Sequence, residues 1–256
     1  MINLIRIELY RFSKHWIFPV MILLSVYFSI AILDQFFSSK IQINSFLDNG
    51  KTTFENSFNI GVRMIGPIML SAFFVGSDYS NRTLQEKIAS GHTRVDIVLS
   101  KTIVYSALSA FFLLLTPLFT TGVVTYVNGW GGDFDAHYFT RVILLVFLTY
   151  CSSVCIYPLI SFICRDIAKT LLVSSVFSLL FAELGDLLRT HSIVFRSIYP
   201  FYPTSQLSLI LSEGFSQKDC IQVLFSITIT SIVCAGASFM IFNRQDLSQQ
   251  KGSRLK

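Results

Sequence analysis

Charge is what this sequence has least of. Only 14% of its 256 residues are Asp, Glu, Lys or Arg, and 52% are hydrophobic, whereas soluble domains carry about a quarter charged residues. Residues 16–33, 64–77, 102–132, 142–164 and 220–243 contain no charge at all. Most of these runs reach the roughly 17 to 25 apolar residues that a helix needs to cross a bilayer. Water is therefore not the main solvent of this chain.

The residue patterns of most enzymes are missing as well. The five cysteines (Cys151, Cys155, Cys164, Cys220, Cys234) form no C-x-x-C pair and fall in or beside apolar segments, where they read as small packing residues. The four histidines (His15, His92, His137, His191) lie in four different segments, which excludes a helical ligand pair. There is no G-x-S-x-G elbow and no pair of carboxylates within an apolar run. The stretch 45–52 ends in Gly50-Lys51-Thr52, as a phosphate-binding loop does, but Ser45 stands where the first glycine belongs and no buried strand precedes it. A polar turn is the better reading. No enzyme activity, bound cofactor or metal is expected of this chain, and no nucleic-acid partner.

What remains is an all-α polytopic membrane bundle of one domain, 1–256. Six spans are expected at about 16–36, 58–77, 102–127, 142–164, 167–185 and 221–242. The fifth has a charge-free core of only 170–182, so Lys169 and Glu183 must sit at its two interfaces. The basic flank Arg6, Arg11 and Lys14 before 16–33 resembles a secretory signal, but that run exceeds the roughly 7 to 15 residues of a signal core and reads as a retained span. Counting Lys and Arg, the segments on one side hold 13 and those on the other hold 6, and positive residues stay on the cytoplasmic face. Both ends are accordingly expected in the cytoplasm and the chain in a bacterial cell membrane; dropping the fifth span would send the basic tail outside. Residues 1–15 place Ile2, Ile5, Leu9 and Phe12 at helical spacing and predict an amphipathic interfacial helix. Pro67, Pro117 and Pro158 lie inside spans, where each removes a backbone donor and can kink its helix. Arg63, Asp34, Glu183 and Asp186 fall near outer span ends, where the bilayer's high cost for a buried charge is avoided.

The most patterned polar segment is 78–101. A short helix is expected from 82 to 89, with Leu84 and Ile88 on one face, ended by Gly91; a second starts at Thr93, whose hydroxyl can accept from a first-turn N–H, with Asp96 favouring the positive helix end. The run Asp78, Thr83-Leu84, Gly91, Thr93-Arg94, Ile97, Lys101 resembles, in order, the loop between spans two and three of permease subunits of ABC-2 type exporters, with Arg82 where that family has Gly. The likeness in layout extends over the whole chain, including an external segment, 186–220, with Tyr199-Pro200 and Tyr202-Pro203, and an end beginning at 242–247.

The resemblance implies a pore-forming subunit that pairs with a second permease copy or a related chain and with a separate ATPase subunit that binds ATP and magnesium. It places coupling to that ATPase on Thr83, Leu84, Glu86, Lys87 and Ile88, with Asp78, Gly91, Thr93, Arg94 and Lys101 shaping the loop. The cargo it implies is amphipathic, such as an antimicrobial peptide against which the cell is immune. The other readings are an ion-gradient-driven secondary transporter and a non-transporting receptor or assembly protein. The first of these would favour paired ionisable residues at mid-span and internal repeats, and neither is in the sequence.

Overall fold

The computed structural model describes residues 1–38, 49–58, 64–81, 83–191, 203–212 and 215–244, and all regular structure among them is helical. Helix α1 (Ile2–Ser13) turns at 14–16 into α2 (Ile17–Ser38), and α3 (Gly50–Ser57) follows. Helix α4 (Ile65–Ser71) runs without interruption through a π-helical turn, Ala72–Gly76, into α5 (Ser77–Ser80). The short α6 (Thr83–Ala89) precedes the long α7 (Arg94–Asn128); then come α8 (Ala136–Val154), α9 (Ile156–Cys164), α10 (Ile167–His191), the single turn α11 (Leu207–Ile210) and α12 (Gln217–Asn243).

Four helical stretches among the described residues are long and apolar enough to cross a membrane: Ile17–Asp34, Arg94–Asn128, Ala136–Cys164 and Gln217–Asn243. They mark a multi-pass membrane protein. Ile167–Leu180 is a shorter apolar helix. The second expected span is helical from Ile65, and its earlier part, with Arg63, lies outside the described residues. The side chains of Glu183 and Asp186, Tyr199-Pro200 and Tyr202 of the Tyr-Pro motifs, Arg82 and the tail after Arg244 also fall outside them.

Each intraspan proline acts differently. Pro67 is the third residue of α4, where a backbone N–H has no helical partner to lose. Pro117 is accommodated inside the unbroken α7. Pro158 coincides with the break between α8 and α9 at Cys155: it offers no N–H to the carbonyl four residues back, Val154, at which α8 ends.

Helix α7 is the axis of the fold and touches α1, α2, α3, α4, α6, α8 and α12. Small hydroxyl residues line these contacts. Ser25 Oγ donates to Met21 O (2.9 Å) and reaches Phe112 O on α7 (3.4 Å); Ser29 Oγ does the same with Ser25 O (2.8 Å) and Thr116 O (3.4 Å). Ser71 and Ser161 share a hydrogen bond of 2.8 Å between α4 and α9, and Ser152 bonds Thr230 between α8 and α12. A hydroxyl that satisfies its own helix and touches the next allows close packing where the hydrophobic effect gives little drive between helices. The opposite faces of α2 and α12 leave Leu23, Ile30, Ile221, Phe225 and Ile232 exposed, as helices against hydrocarbon do.

Beyond the far end of α7, α3 is fixed by the turn after it. Gly50 N–H donates to Gly129 O (2.9 Å) and Lys51 N–H to Trp130 O (3.0 Å), while Asn49 N–H donates to Thr52 Oγ1 (3.1 Å). Among the described residues of the 45–52 stretch, the N–H groups of Asn49, Gly50 and Lys51 are thus occupied. Gly50 is required by closeness, since a Cβ there would run into the Thr125 side chain. The Gly-Lys-Thr sequence therefore opens a packed helix, where a polar turn was expected. In the segment expected to be external, 186–220, Leu207, Ile210 and Leu211 are buried in the main core.

Candidate functional site

At the Arg94 end of α7, four charged side chains from four separate elements meet out of solvent. Helix α1 buries Leu4, Glu8 and Phe12, one residue every fourth position. Helical geometry places them on one face, so the single acid of α1 is drawn inside between two apolar neighbours. Asp78 follows the π-helical turn on α5, Lys87 comes from α6, and Lys101 lies two turns into α7. Glu8 and Asp78 are each 1% exposed and Lys101 is fully buried.

The contacts close a ring. Lys101 Nζ pairs with Asp78 Oδ2 and lies 3.3 Å from Glu8 Oε2; Lys87 Nζ pairs with Glu8 Oε1 and lies 3.6 Å from Asp78 Oδ2. Arg11 covers the rim, 3.3 Å from Asp78 Oδ1 and 3.9 Å from Glu8 Oε2. Lys101 also donates to Phe74 O (3.4 Å) and stands 4.6 Å above the Phe74 ring. Two buried carboxylates are thus balanced by two ammonium groups, with a guanidinium outside them.

The electrostatics favour the ionised acid. Burial by itself would raise the Asp78 carboxyl, but the charges of Lys101 and then Lys87 outweigh it and hold the group well below the ordinary 3.8. On Lys87, burial and the like charge of Lys101 push the ammonium down, against the smaller pull of Asp78 and Glu8. A carboxylate with a depressed folded-state pKa stabilises the fold fully above its ordinary value, and that stabilisation disappears as pH falls through the lower folded-state value. Melting the protein between pH 7 and pH 2.5 should therefore show no Asp78-linked loss down to about pH 4 and a steep one below it. Asp78→Asn removes that part of the acid slope; an unchanged slope would show that Asp78 is not ionised in the fold.

Around the ring the loop is closed by backbone bonds. Gly91 has φ +86°, and Gly91 N–H donates to Ile88 O (3.0 Å) while His92 N–H donates to Lys87 O (3.2 Å). This is the paired C-terminal cap in which a left-handed glycine ends a helix. Thr93 then caps α7, its Oγ1 accepting from Asp96 N (3.2 Å) and donating to Asp96 Oδ2 (2.8 Å). Arg94 reaches across to the last helix and donates to Phe242 O (3.0 Å) and Asn243 O (2.9 Å), the carbonyls at the end of α12.

The sequence-predicted residues divide between an inner and an outer surface. Leu84 is 1% exposed and packs with Leu4, Val75, Tyr79, Ile97, Val98, Phe162 and Phe242, with Ile88 against the same cluster. The face of α6 that carries Leu84 thus lies in a core cluster shared with this chain's own α1, π-helical turn, α5, α7, α9 and α12. Lys87 turns into the ring, and Thr83 begins the helix, half-buried. Glu86, Ala89 and Ser90 remain exposed. Asp78 and Lys101, expected only as loop residues, are ion-paired with each other. Glu8 carried no expectation; its signal was the Leu4-Glu8-Phe12 spacing, which puts an acid on an apolar stripe.

Among the described residues no three His, Cys, Asp or Glu side chains are grouped to hold a metal. In comparisons with known proteins, the chain matches no family model and no curated protein.

Proposed function

We propose that this chain is the membrane-spanning permease subunit of an ATP-driven exporter of the ABC-2 type. In this reading six segments cross the cytoplasmic membrane, with 58–77 and 167–185 added to the four long apolar stretches. Both ends lie inside, and α1 rests in the inner headgroup layer. A second permease copy and a separate ATPase complete the assembly, and the cargo is an amphipathic molecule such as an antimicrobial peptide.

The observation that supports it most is the mounting of α6. This seven-residue helix is ended by a glycine cap, anchored underneath by Leu84 and tied through Lys87 to α1 and α5. Its Glu86, Ala89 and Ser90 face is left open. A chain without a nucleotide site is driven by ATP only through a partner, and a short helix fixed to several long ones converts a push on its open face into a rigid-body movement of them. The four-residue link to α7 and the ion ring to α1 and α5 make α6 part of the bundle, as a lever must be.

The test is co-purification. The tagged chain, extracted gently from its native membrane, should bring down a P-loop ATPase in stoichiometric amount. Glu86→Arg combined with Ala89→Arg, both on the open face, should reduce recovery about 30-fold or more, as loss of a central interface contact does, while the chain keeps its level in the membrane. Recovery of no ATPase from conditions that preserve other complexes would discard the reading.

A further inference from the structure

A cavity of about 250 Å³ lies where α1 turns into α2, against α4 and the π-helical turn. It is far larger than the roughly 30 Å³ that one water occupies in the liquid. Its lining mixes two chemistries, the basic Arg11, Lys14 and His15 with the apolar Ile17, Leu70 and Phe73. Glu8 and Asp78 also border it, but their charges are met by Lys87 and Lys101, which do not. The uncompensated charge at the mouth is therefore positive, from Arg11 and from Lys14, which has no ion pair among the described residues. His15 adds a donor: Ile17 N–H donates to its Nδ1 (3.3 Å), so the ring proton is on Nε2. Beside the mouth, exposed Trp16 meets Phe73 edge to face at 5.2 Å, the position of an amphipathic ring at a membrane boundary.

We infer that this cavity binds the headgroup of an anionic phospholipid, with the phosphate at Lys14, Arg11 and His15 and the start of the acyl chains along Ile17, Leu70 and Phe73. The charge sign selects the headgroup, and the presence of basic and apolar lining residues in one cavity selects an amphiphile over a soluble anion. The site lies between α1 and the ion ring, so an occupied cavity braces the segment that carries Glu8. The inference rests on the membrane placement proposed above and not on the ATPase partner; loss of one leaves the other standing.

Trp16 provides the readout. The chain has two tryptophans, and Trp130→Phe leaves Trp16 as the sole indole. In vesicles mixing unlabelled phosphatidylcholine with a brominated lipid, brominated phosphatidylglycerol should reach half-maximal quenching at about fivefold lower mole fraction than brominated phosphatidylcholine. Lys14→Glu should bring the two lipids close to parity. Ser77→Phe, which fills the cavity without touching a charge, should do the same, whereas Arg6→Glu on the exposed face of α1 should leave the preference intact. Equal quenching by both lipids in the parent protein overturns the proposal. So does an equal response to Lys14→Glu and Arg6→Glu, which would assign the preference to general surface charge; this comparison decides the matter if Ser77→Phe does not fold. Full relief of the preferential quenching by soluble glycerol phosphate would show a soluble-anion site and overturn the lipid assignment.

Discussion

Lys101→Met should lower the unfolding free energy by about 3–5 kcal/mol, the usual result of removing one partner from a buried ion pair. Methionine keeps the apolar stem and removes the ammonium, so the loss falls on Asp78 and Glu8, which remain inside with only the half-buried Lys87 and, at the rim, Arg11 beside them. Coulomb attraction over 3–4 Å in a medium screened far less than water is worth several kcal/mol, and the desolvation already imposed on both carboxylates is not refunded. In a thermal melt of the purified protein the midpoint should drop on the order of 10 °C.

The control is Lys101→Met with Asp78→Asn, which removes one charge of each sign and leaves Glu8 paired with Lys87. If the ring acts as a unit, the double variant is more stable than the sum of the two single losses by at least about 1 kcal/mol. Strict additivity would mean that the four side chains are neighbours without coupling, and the view of α6 as a fixed lever would lose its foundation.

The loop that carries this ring shows what a sequence can and cannot disclose. Gly91 and Thr93 were legible because their signals are local: a left-handed glycine and a hydroxyl cap act on atoms within four residues. Leu84 and Ile88 were legible as one face of a helix, but periodicity identifies a face and not what covers it. Here four distant segments cover it, from Leu4 to Phe242. Glu8 was hidden for a related reason. The amphipathic reading of α1 placed Ile2 and Leu9 on its apolar side, and both are exposed, while the face that enters the fold is Leu4, Glu8 and Phe12. A helix that meets lipid on one side and protein on the other has two apolar stripes, and hydrophobic spacing does not rank them.

The long spans were visible because apolar length is a direct consequence of bilayer thickness. Their irregularities were less so. The break at Cys155 follows from Pro158, yet Pro117 produces none in α7, because whether a helix absorbs the lost bond depends on neighbours the sequence does not reveal. At Gly50-Lys51-Thr52 the carbonyls of Gly129 and Trp130, some eighty residues away, take the N–H groups of Gly50 and Lys51, a pairing that no local pattern discloses.

Those same carbonyls belong to the second structure that a single change should disrupt. Phe54 on α3 is fully buried at the opposite end of α7, stacked on Phe139 at 4.8 Å and edge-on to Phe58 at 5.0 Å, with Trp130 at 6.1 Å and Tyr138 at 6.4 Å. It joins α3 to the α7–α8 turn and to α8. Tyr138 continues the connection through its hydroxyl, 3.2 Å from Glu55 Oε1 and 3.3 Å from Leu211 O, so α11 is held by the same cluster. Phe54→Ala should cost about 3–5 kcal/mol, the sum of lost apolar transfer and a cavity that rings fixed on four sides cannot collapse to fill. Phe134, which touches Trp130 and Phe139 but is 56% exposed, is the matched comparison, and its alanine variant should lose at most about 1 kcal/mol. Hydrogen exchange separates a local from a global effect. In Phe54→Ala the amides of Gly50 and Lys51, which donate to the carbonyls of Gly129 and Trp130 and so bridge the two segments, should exchange faster than in the parent, while those of 97–110 at the ion-ring end keep their protection. Similar stability of the two alanine variants would mean that α3 is held by its backbone bonds alone and that the aromatic cluster only covers it.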